Sequence, residues 1–383
     1  MKILAIICEF NPFHNGHKYL LERAKELSGC DAVLCIMSGG FTQRGDMCIM
    51  DKYTRAKHAV SGGADCVIQL PAPFAVAPAE IFAKGAIKIL LSIPEVTALA
   101  FGCESGDEYE FFKAAELFID ESDKFKTVIN KKLAEGESYI KSYAEAFEAC
   151  GGNRDIVANP NNVLGFEYCK AILRVGADID ILPVKRVGAG YNDGELKENY
   201  SSASAIRNNL TDIRISDNIP PYVYNDLKYS ADLRSFHAFL RHSLFVARPE
   251  DMQKIFGCGE GLENKLKSLE NTSIENIVEK CTSKRYSSSR IKRILCANAL
   301  GLYADDAQKF LGADLYIKPL AVKKTRANEI LSALSKSAYP VITDANGKGL
   351  QAEAERCFCK DGYEFAVYNH INRTDKKDYM ILV

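Results

Sequence analysis

Residues 2–8, KILAIIC, form a short, almost wholly apolar run rich in β-branched side chains, the pattern of a strand buried on both faces of a parallel sheet. The polar loop EFNPFHNGH follows. LLERAKELS with Gly29 behind it then predicts a helix with a glycine stop. DAVLCIMSG predicts a second buried strand, DKYTRAKHAVSGG a second helix and ADCVIQLPAPF a third strand. A helix over residues 79–92 and a strand in VTALAFGCESG continue the alternation. Strands alternating with helices at this spacing predict an α/β fold with a doubly wound parallel sheet. Ligands of such sheets bind at the carboxyl ends of the strands. The loop at 9–17 and those in SGGFTQRG, QLPAPF and FGCESG should therefore converge on one crevice.

From about 107 to 150 the pattern is helical, charged and amphipathic. NNVLGFEYCKAILRVG reads as a further helix and DIDILPVKRV as a strand. ENYSSASAIRNNL sets a Ser-rich turn directly before a helix, an N-cap arrangement. The composition breaks at about 212–222. Beyond it, residues 225–312 read as mostly helical, LYIKPLAV as a strand, 325–336 as a helix, and the rest as a polar tail. The expected division is an α/β domain over 1–212 and a mainly helical domain over 213–383.

A chain of 383 residues is long enough for two cores. Its net charge of −1 gives no global attraction for nucleic acid, so any such binding needs a local patch. The 13 cysteines are scattered singly apart from Cys357 and Cys359, which fits reduced thiols and no zinc site. The apolar run that ends at Glu9 is too short for a signal peptide, and no stretch approaches ~20 apolar residues. The expectation is a cytoplasmic protein without membrane contact.

His14-Asn15-Gly16-His17 carries the chemistry. It lies between the first strand and the first helix, and holds two of the six histidines. Gly16 has no Cβ and lets the backbone approach a phosphate or a base. A helix that starts near His17 would aim free N–H groups and a positive dipole end at an anion. Two imidazoles, protonated or donating, would stabilise charge that builds on a phosphate. A plain helix cap is the ordinary alternative. Ser201-Ser202-Ala203-Ser204-Ala205-Ile206-Arg207 places hydroxyls and an arginine at another helix start, which suits a triphosphate. Alone it would read as a serine cap beside a solvated arginine. The two elements together point to ATP binding and nucleotidyl transfer, a reaction run by positioning and charge stabilisation.

H-x-G-H after the first strand, with S-x-x-S-x-x-R at a later helix start, resembles the nucleotidylyltransferase superfamily of α/β folds. Longer segments are more specific: EFNPFHNGH, SGGFTQRGD (38–46), DKYTRA (51–56), GADCVIQLP (63–71), FGCESG (101–106), PNNVLGFEY (160–168), KRVGAGYND (185–193) and KRYSSSRIKRIL (284–295). Together they resemble the tRNA(Met) cytidine acetate ligase family over most of the chain. The resemblance implies that ATP and acetate form acetyl-adenylate, and that the acetyl group passes to N4 of the wobble cytidine of elongator tRNA(Met). It implies an ATP site over Ile6, Ile7, Cys8, Glu9, Phe10, Asn11, Pro12, Phe13, His14, Asn15, Gly16, His17, Lys18 and Tyr19. His14 and His17 would lie on the phosphates and Gly102 against the nucleotide. Asn162 and Arg186 would complete the site, and Ser204 and Arg207 would face the β- and γ-phosphates. His14, His17 and Arg207 are the implied catalytic residues. Mg2+ is expected to travel with the nucleotide and no metal to be held by the protein. Acetate and tRNA are the expected partners, without a protein partner. Arg44, Lys284, Arg285, Arg290 and Arg293 are the candidate RNA contacts.

Several residues leave alternatives open. Gln43-Arg44-Gly45 suits pyrophosphate, acetate or RNA backbone, or a surface turn. Lys52 and Arg55 read as a positive wall or a solvated helix face, Asp65 as a turn residue and His58 as structural. Glu9 could orient a histidine, bind a metal or cap the turn. The 284–293 cluster, with Tyr286, suits RNA backbone and stacking; a salt-bridged surface helix is the alternative. Two other functions compete. A small-molecule nucleotidylyltransferase that adenylylates a cofactor precursor has no use for the long second half. A non-enzymatic RNA-binding protein has no use for intact histidines. Salt-dependent tRNA binding is required by the ligase and the RNA binder, and not by the small-molecule enzyme.

Overall fold

A computed structural model describes residues 1–119, 122–137, 139–188 and 194–383. Among them a seven-stranded sheet runs in the order β5-β4-β1-β2-β3-β6-β7. The strands are β1 (Ile3–Cys8), β2 (Ala32–Ser38), β3 (Cys66–Leu70), β4 (Val96–Cys103), β5 (Asp180–Lys185), β6 (Pro319–Val322) and β7 (Ile381–Leu382). The first five are mutually parallel, as their unbroken apolar runs predict. β6 pairs antiparallel with β3, and β7 parallel with β6. The chain winds outward from β1 through β2 and β3, then returns to β4 and β5 on the other side. The order therefore reverses between β1 and β4, where such a sheet opens a crevice.

Alternation along β1 separates two cores. Ile3, Ala5 and Ile7 face a cluster with Phe74, Phe82, Phe101, Phe111 and Tyr168, under the helices Ala79–Leu91 and Pro160–Val175. Leu4 and Ile6 face Leu21 and Ala24 of α1 (Asn15–Ser28), Ala56 and Ala59 of α2 (Lys52–Ser61), and Phe10 and Phe13 of the loop after β1. Gly29 ends α1 in the left-handed region at φ 60, its N–H on the Lys25 carbonyl. Asp51 caps α2 by accepting from Tyr53 and Thr54.

Four expectations need correction. The third strand stops at Leu70 rather than running through PAPF, because Pro71 and Pro73 cannot donate to a ladder; residues 72–75 turn into a short helix. The polar tail contains a long helix, Ala352–Asn372. Its buried positions include Ala354, Cys357, Phe358, Asp361, Phe365 and Tyr368, at helical spacing. Buried carboxylates at Asp361 and Glu364 hide that stripe from a reading by hydrophobicity. The same helix buries Cys357 and exposes Cys359, so the C-x-C thiols point apart.

The third correction is the boundary at 212. The helices Leu233–Val246, Ile274–Cys281 and Ser288–Leu300 do share a separate core. However, β6 and β7 extend the sheet, and Phe310, Tyr316, Ile317, Leu334 and Phe358 join the core beneath it. The second half is thus partly built into the first.

The fourth concerns α2. Neither Lys52 nor Arg55 is a solvated face or a positive wall; both are fully buried. Arg55 donates to the carbonyls of Met50 (3.0 Å), Glu9 (2.5 Å), Ser38 (3.1 Å) and Gly39. Lys52 Nζ bonds Gln69 at 2.9 Å and pairs with Asp378 at 2.6 Å, and burial brings it down to about 8. Glu364 accepts from the Gly40 N–H, and burial pushes its carboxyl up to about 7. His58 is structural, 2.9 Å from Asp226. Asp65 is more than a turn residue: it is buried, accepts from Val33 N–H at 2.9 Å and pairs with Arg326 at 3.1 Å.

A fragment of residues 1–212 would leave the β3 edge unpaired and strip Tyr316, Ile317 and Phe358 from the core. We expect it to show no cooperative unfolding transition by circular dichroism, while the full chain does. A fragment that melts cooperatively would show that the α/β half folds alone.

Candidate active site

The loop after β1 turns inward on Phe10 and Phe13, which are 1% and 0% exposed. Phe10 sits edge-on to His17, ring centroids 4.9 Å apart. His14 is the N-cap of α1, so the helix starts at Asn15, earlier than a start near His17. His14 Nδ1 accepts from Gly16 N–H at 3.1 Å, and His17 Nδ1 accepts from His14 N–H at 3.3 Å. This is a capping box built from two imidazoles, with the rings stacked 3.6 Å apart. A Cβ on residue 16 would meet the His14 ring at 2.9 Å, so glycine is needed there.

The box decides what the histidines can do. Each Nδ1 is an acceptor, so a neutral ring carries its proton on Nε2. Burial, followed by Arg186 and Arg207, brings His14 down to about 3. Burial, His14 and Arg186 hold His17 well below its usual range. At neutral pH the pair is two uncharged Nε2–H donors. The free N–H groups expected at this helix end are taken: Asn15 N–H donates to Asn218 O at 2.9 Å, and those of His17 and Lys18 to His14 O. An anion here would meet side chains rather than the helix backbone.

The crevice lies over the ends of β1, β4 and β5. Ile7, Cys8, Glu9, Phe10, Asn11, His14 and His17 form one wall, and Gln43 and Arg44 come from the loop after β2. Arg186, Ser202, Ser204 and Arg207 also line the crevice. An adjoining lobe is lined by Gly16, Tyr19, Leu20, Gly102, Val184 and Tyr200. Ser202 caps the helix Ala203–Asn208, as the Ser-rich turn predicts. Arg207 donates to Asn11 O at 2.6 Å and to Ser204 Oγ at 3.1 Å. Gly102 lies beside the Arg186 side chain, whose Cγ would be in ordinary contact, 3.5 Å, with a Cβ there.

Some residues of the expected ATP site stay behind the surface. Ile6, Pro12 and Phe13 are buried and do not line the crevice. Asn15 Nδ2 bonds Asn199 O and Asp217 O. Lys18 is exposed and pairs with Glu22 at 3.8 Å. Asn162 is buried; it accepts from Glu104 N–H at 2.9 Å and donates to Ser105 Oγ at 3.1 Å, so it holds the FGCESG turn. The residues that reach the crevice from that helix are Asn161, Leu164 and Tyr168. Their spacing of three and four was visible in PNNVLGFEY as one helical face. Residues 189–193 of KRVGAGYND lie outside the described residues.

The basic cluster divides. Lys284 and Arg285 are exposed, Arg285 beside Glu260. Arg290 bonds Gly257 O at 2.9 Å and lies 4.7 Å over the Tyr286 ring. Arg293 turns inward instead: it donates to Gln43 O at 3.1 Å, and burial brings it down to about 10. Next to it Lys292 pairs with Asp46 at 3.0 Å. Gly45, at φ +82, packs on the backbone of the helix Ser288–Leu300, where a Cβ would come within 2.5 Å of Arg293 N. Arg293 therefore steadies the Gln43–Arg44 wall and is not an outward RNA contact.

A model of the HIGH Nucleotidyl Transferase family matches residues 1–378. The tRNA(Met) cytidine acetate ligase of Clostridium perfringens (strain ATCC 13124) is 33% identical, over 100% of this chain and 98% of that protein. The protein of the same name from Caldicellulosiruptor saccharolyticus is 39% identical over 77% of this chain and 76% of its own. The crystal structure of Thermotoga maritima TmcAL in its apo form I superposes with a TM-score of 0.89 at 27% identity, each chain covered in full. The form bound with alpha-thio ATP gives 0.87 at 26%, again with full coverage.

The depressed His14 pKa has a signed consequence for stability. The unfolded ring binds its proton near 6.5 and the folded one only near about 3. The associated stability is complete above 6.5 and is lost as pH falls toward 3. We expect the thermal midpoint of the ligand-free protein to fall between about pH 7 and about pH 5. His14→Asn, which keeps a capping acceptor, should show a shallower fall. Equal slopes in the two proteins would contradict the neutral assignment.

Proposed function

Because this chain belongs to the tRNA(Met) cytidine acetate ligase family of HIGH nucleotidyl transferases, we propose that it uses ATP to join acetate to N4 of the wobble cytidine of elongator tRNA(Met). The observation that carries the reading is the convergence of two neutral Nε2–H donors, Arg186, Ser204 and Arg207 on one crevice at the switch point of the sheet. The solved Thermotoga maritima relative with alpha-thio ATP supports ATP as the nucleotide.

ATP fits the donor set. The Nε2–H groups of His14 and His17, with Ser204 and Arg207, would hold the phosphates, and Mg2+ would arrive on the nucleotide. The lobe with Tyr19, Leu20, Val184 and Gly102 offers an apolar bed for adenosine. In the first step an acetate oxygen attacks the α-phosphorus and pyrophosphate leaves. Arg186, Arg207 and the imidazoles stabilise the charge gathered on the phosphates, without a nucleophilic side chain. The mixed anhydride then stays in the crevice. In the second step N4 of the cytidine, taken out of its stack, attacks the acetyl carbonyl and AMP leaves. Lys284, Arg285 and Arg290 would contact RNA phosphates, and Tyr286 lies among them.

Pure protein incubated with ATP, radiolabelled acetate and total tRNA is expected to put label into tRNA. The label should require ATP and fall sharply in His17→Ala. ATP cleavage without label in tRNA, stimulated by small acceptors, would favour a small-molecule nucleotidylyltransferase. Arg293 gives a second test. Arg293→Gln should lower the rate of acetate-dependent ATP–pyrophosphate exchange, because it loosens the Gln43–Arg44 wall, and leave tRNA affinity in place. A loss of tRNA affinity with a salt slope lower by about 1 would return Arg293 to the RNA interface.

A further inference from the structure

Acetyl transfer to an aromatic amine releases a proton. The new N–C bond forms, the bond from the acetyl carbon to the phosphate oxygen breaks, and AMP leaves with that electron pair. N4 must then shed one hydrogen. Few groups in the crevice can take it. The His14 and His17 rings already present Nδ1 as an acceptor to the backbone, so their free nitrogens carry protons. Burial pushes the Cys8 thiol and the Tyr168 hydroxyl well up, so both keep their hydrogens. Arginine has no acceptor.

Among the described residues that line the crevice and its lobe there is one carboxylate, Glu9. Its Oε1 accepts from Gln43 N–H at 2.7 Å and lies 3.5 Å from Ser38 Oγ. Its second oxygen takes no hydrogen bond from the described residues. Glu9 is also linked through Gln43 to the helix that carries part of the basic cluster. Gln43 is held by Arg293, on the helix whose first turn carries Arg290 beside Tyr286. Arg207, which donates to Asn11 O two residues along the loop, also acts on Glu9, so the carboxylate borders the residues proposed to hold the phosphates.

Resting on the ligase reading above, we infer that Glu9 is the base that takes the N4 proton in the transfer step. The Glu9 carboxylate accepts the proton as the N–C bond forms and gives it to water once AMP has left. Its surroundings suit the task. Burial raises its pKa, while the Gln43 N–H, Arg207, Arg55 and Arg44 oppose that rise; Cys8, Cys48 and Tyr168 complete the titratable groups around it. The result is a carboxylate more basic than usual.

Glu9→Gln separates this role from a structural one, since the amide keeps the oxygen that accepts the Gln43 N–H. Two rates are measured in wild type and variant. One is acetate-dependent ATP–pyrophosphate exchange, which reports activation alone. The other is single-turnover transfer to tRNA from acetyl-adenylate accumulated on the enzyme with pyrophosphatase. We expect transfer to fall about 10²-fold further than exchange. Wild-type transfer should rise with pH through the acidic range, and the variant should lose that rise. Equal losses in the two rates, or transfer at the wild-type rate, would overturn the assignment. A wild-type enzyme that exchanges but never labels tRNA would overturn the ligase reading, and this inference with it.

Discussion

One guanidinium fixes the geometry on which the crevice depends. Arg55 is wholly buried and donates to carbonyls at the end of β1, at the end of β2 and just before α2. Backbone carbonyls at strand ends in a buried loop need partners, and a planar donor with five N–H groups can serve several at once. Burying the charge is costly without compensation. The Glu364 carboxylate, from the far end of the chain, lies against the same Gly39–Gly40 turn. The loop that carries Gln43 and Arg44 is thus held from below by α2 and from the side by two C-terminal helices.

That arrangement explains which parts of the molecule the sequence could reveal. The alternation of apolar strands and helices, the H-x-G-H loop and the serine cap before Arg207 are local patterns, and each is found, with the third strand ending early at Leu70 and α1 starting early at Asn15. The crevice at the strand ends follows from them by a general rule of doubly wound sheets. What local pattern could not reveal was long-range pairing. Lys52 and Arg55 read as surface residues because their partners, Gln69, Asp378 and the loop carbonyls, lie elsewhere in the chain. The helix Ala352–Asn372 was hidden because its inner face carries Asp361 and Glu364, which a hydrophobicity pattern scores as outward. Arg293 looked like part of a basic surface until its guanidinium met Gln43 O.

The second half of the chain is consequently more than an appendage for RNA. Its strands finish the sheet, its long helix supplies Glu364 to the Gly40 turn, and its Ser288–Leu300 helix supports the loop that carries Gln43 and Arg44. A change in how that helix sits would reach Gln43 and Glu9 through a short chain of direct hydrogen bonds.

The paired imidazoles carry a consequence of their own. Each ring spends one nitrogen on the backbone at the start of α1, and the two stack on each other. The tautomer that the chemistry uses is therefore a property of the helix start, not of either side chain. Removing one ring would take the stacking partner from the other and leave its backbone donor, the His14 or Gly16 N–H, in place.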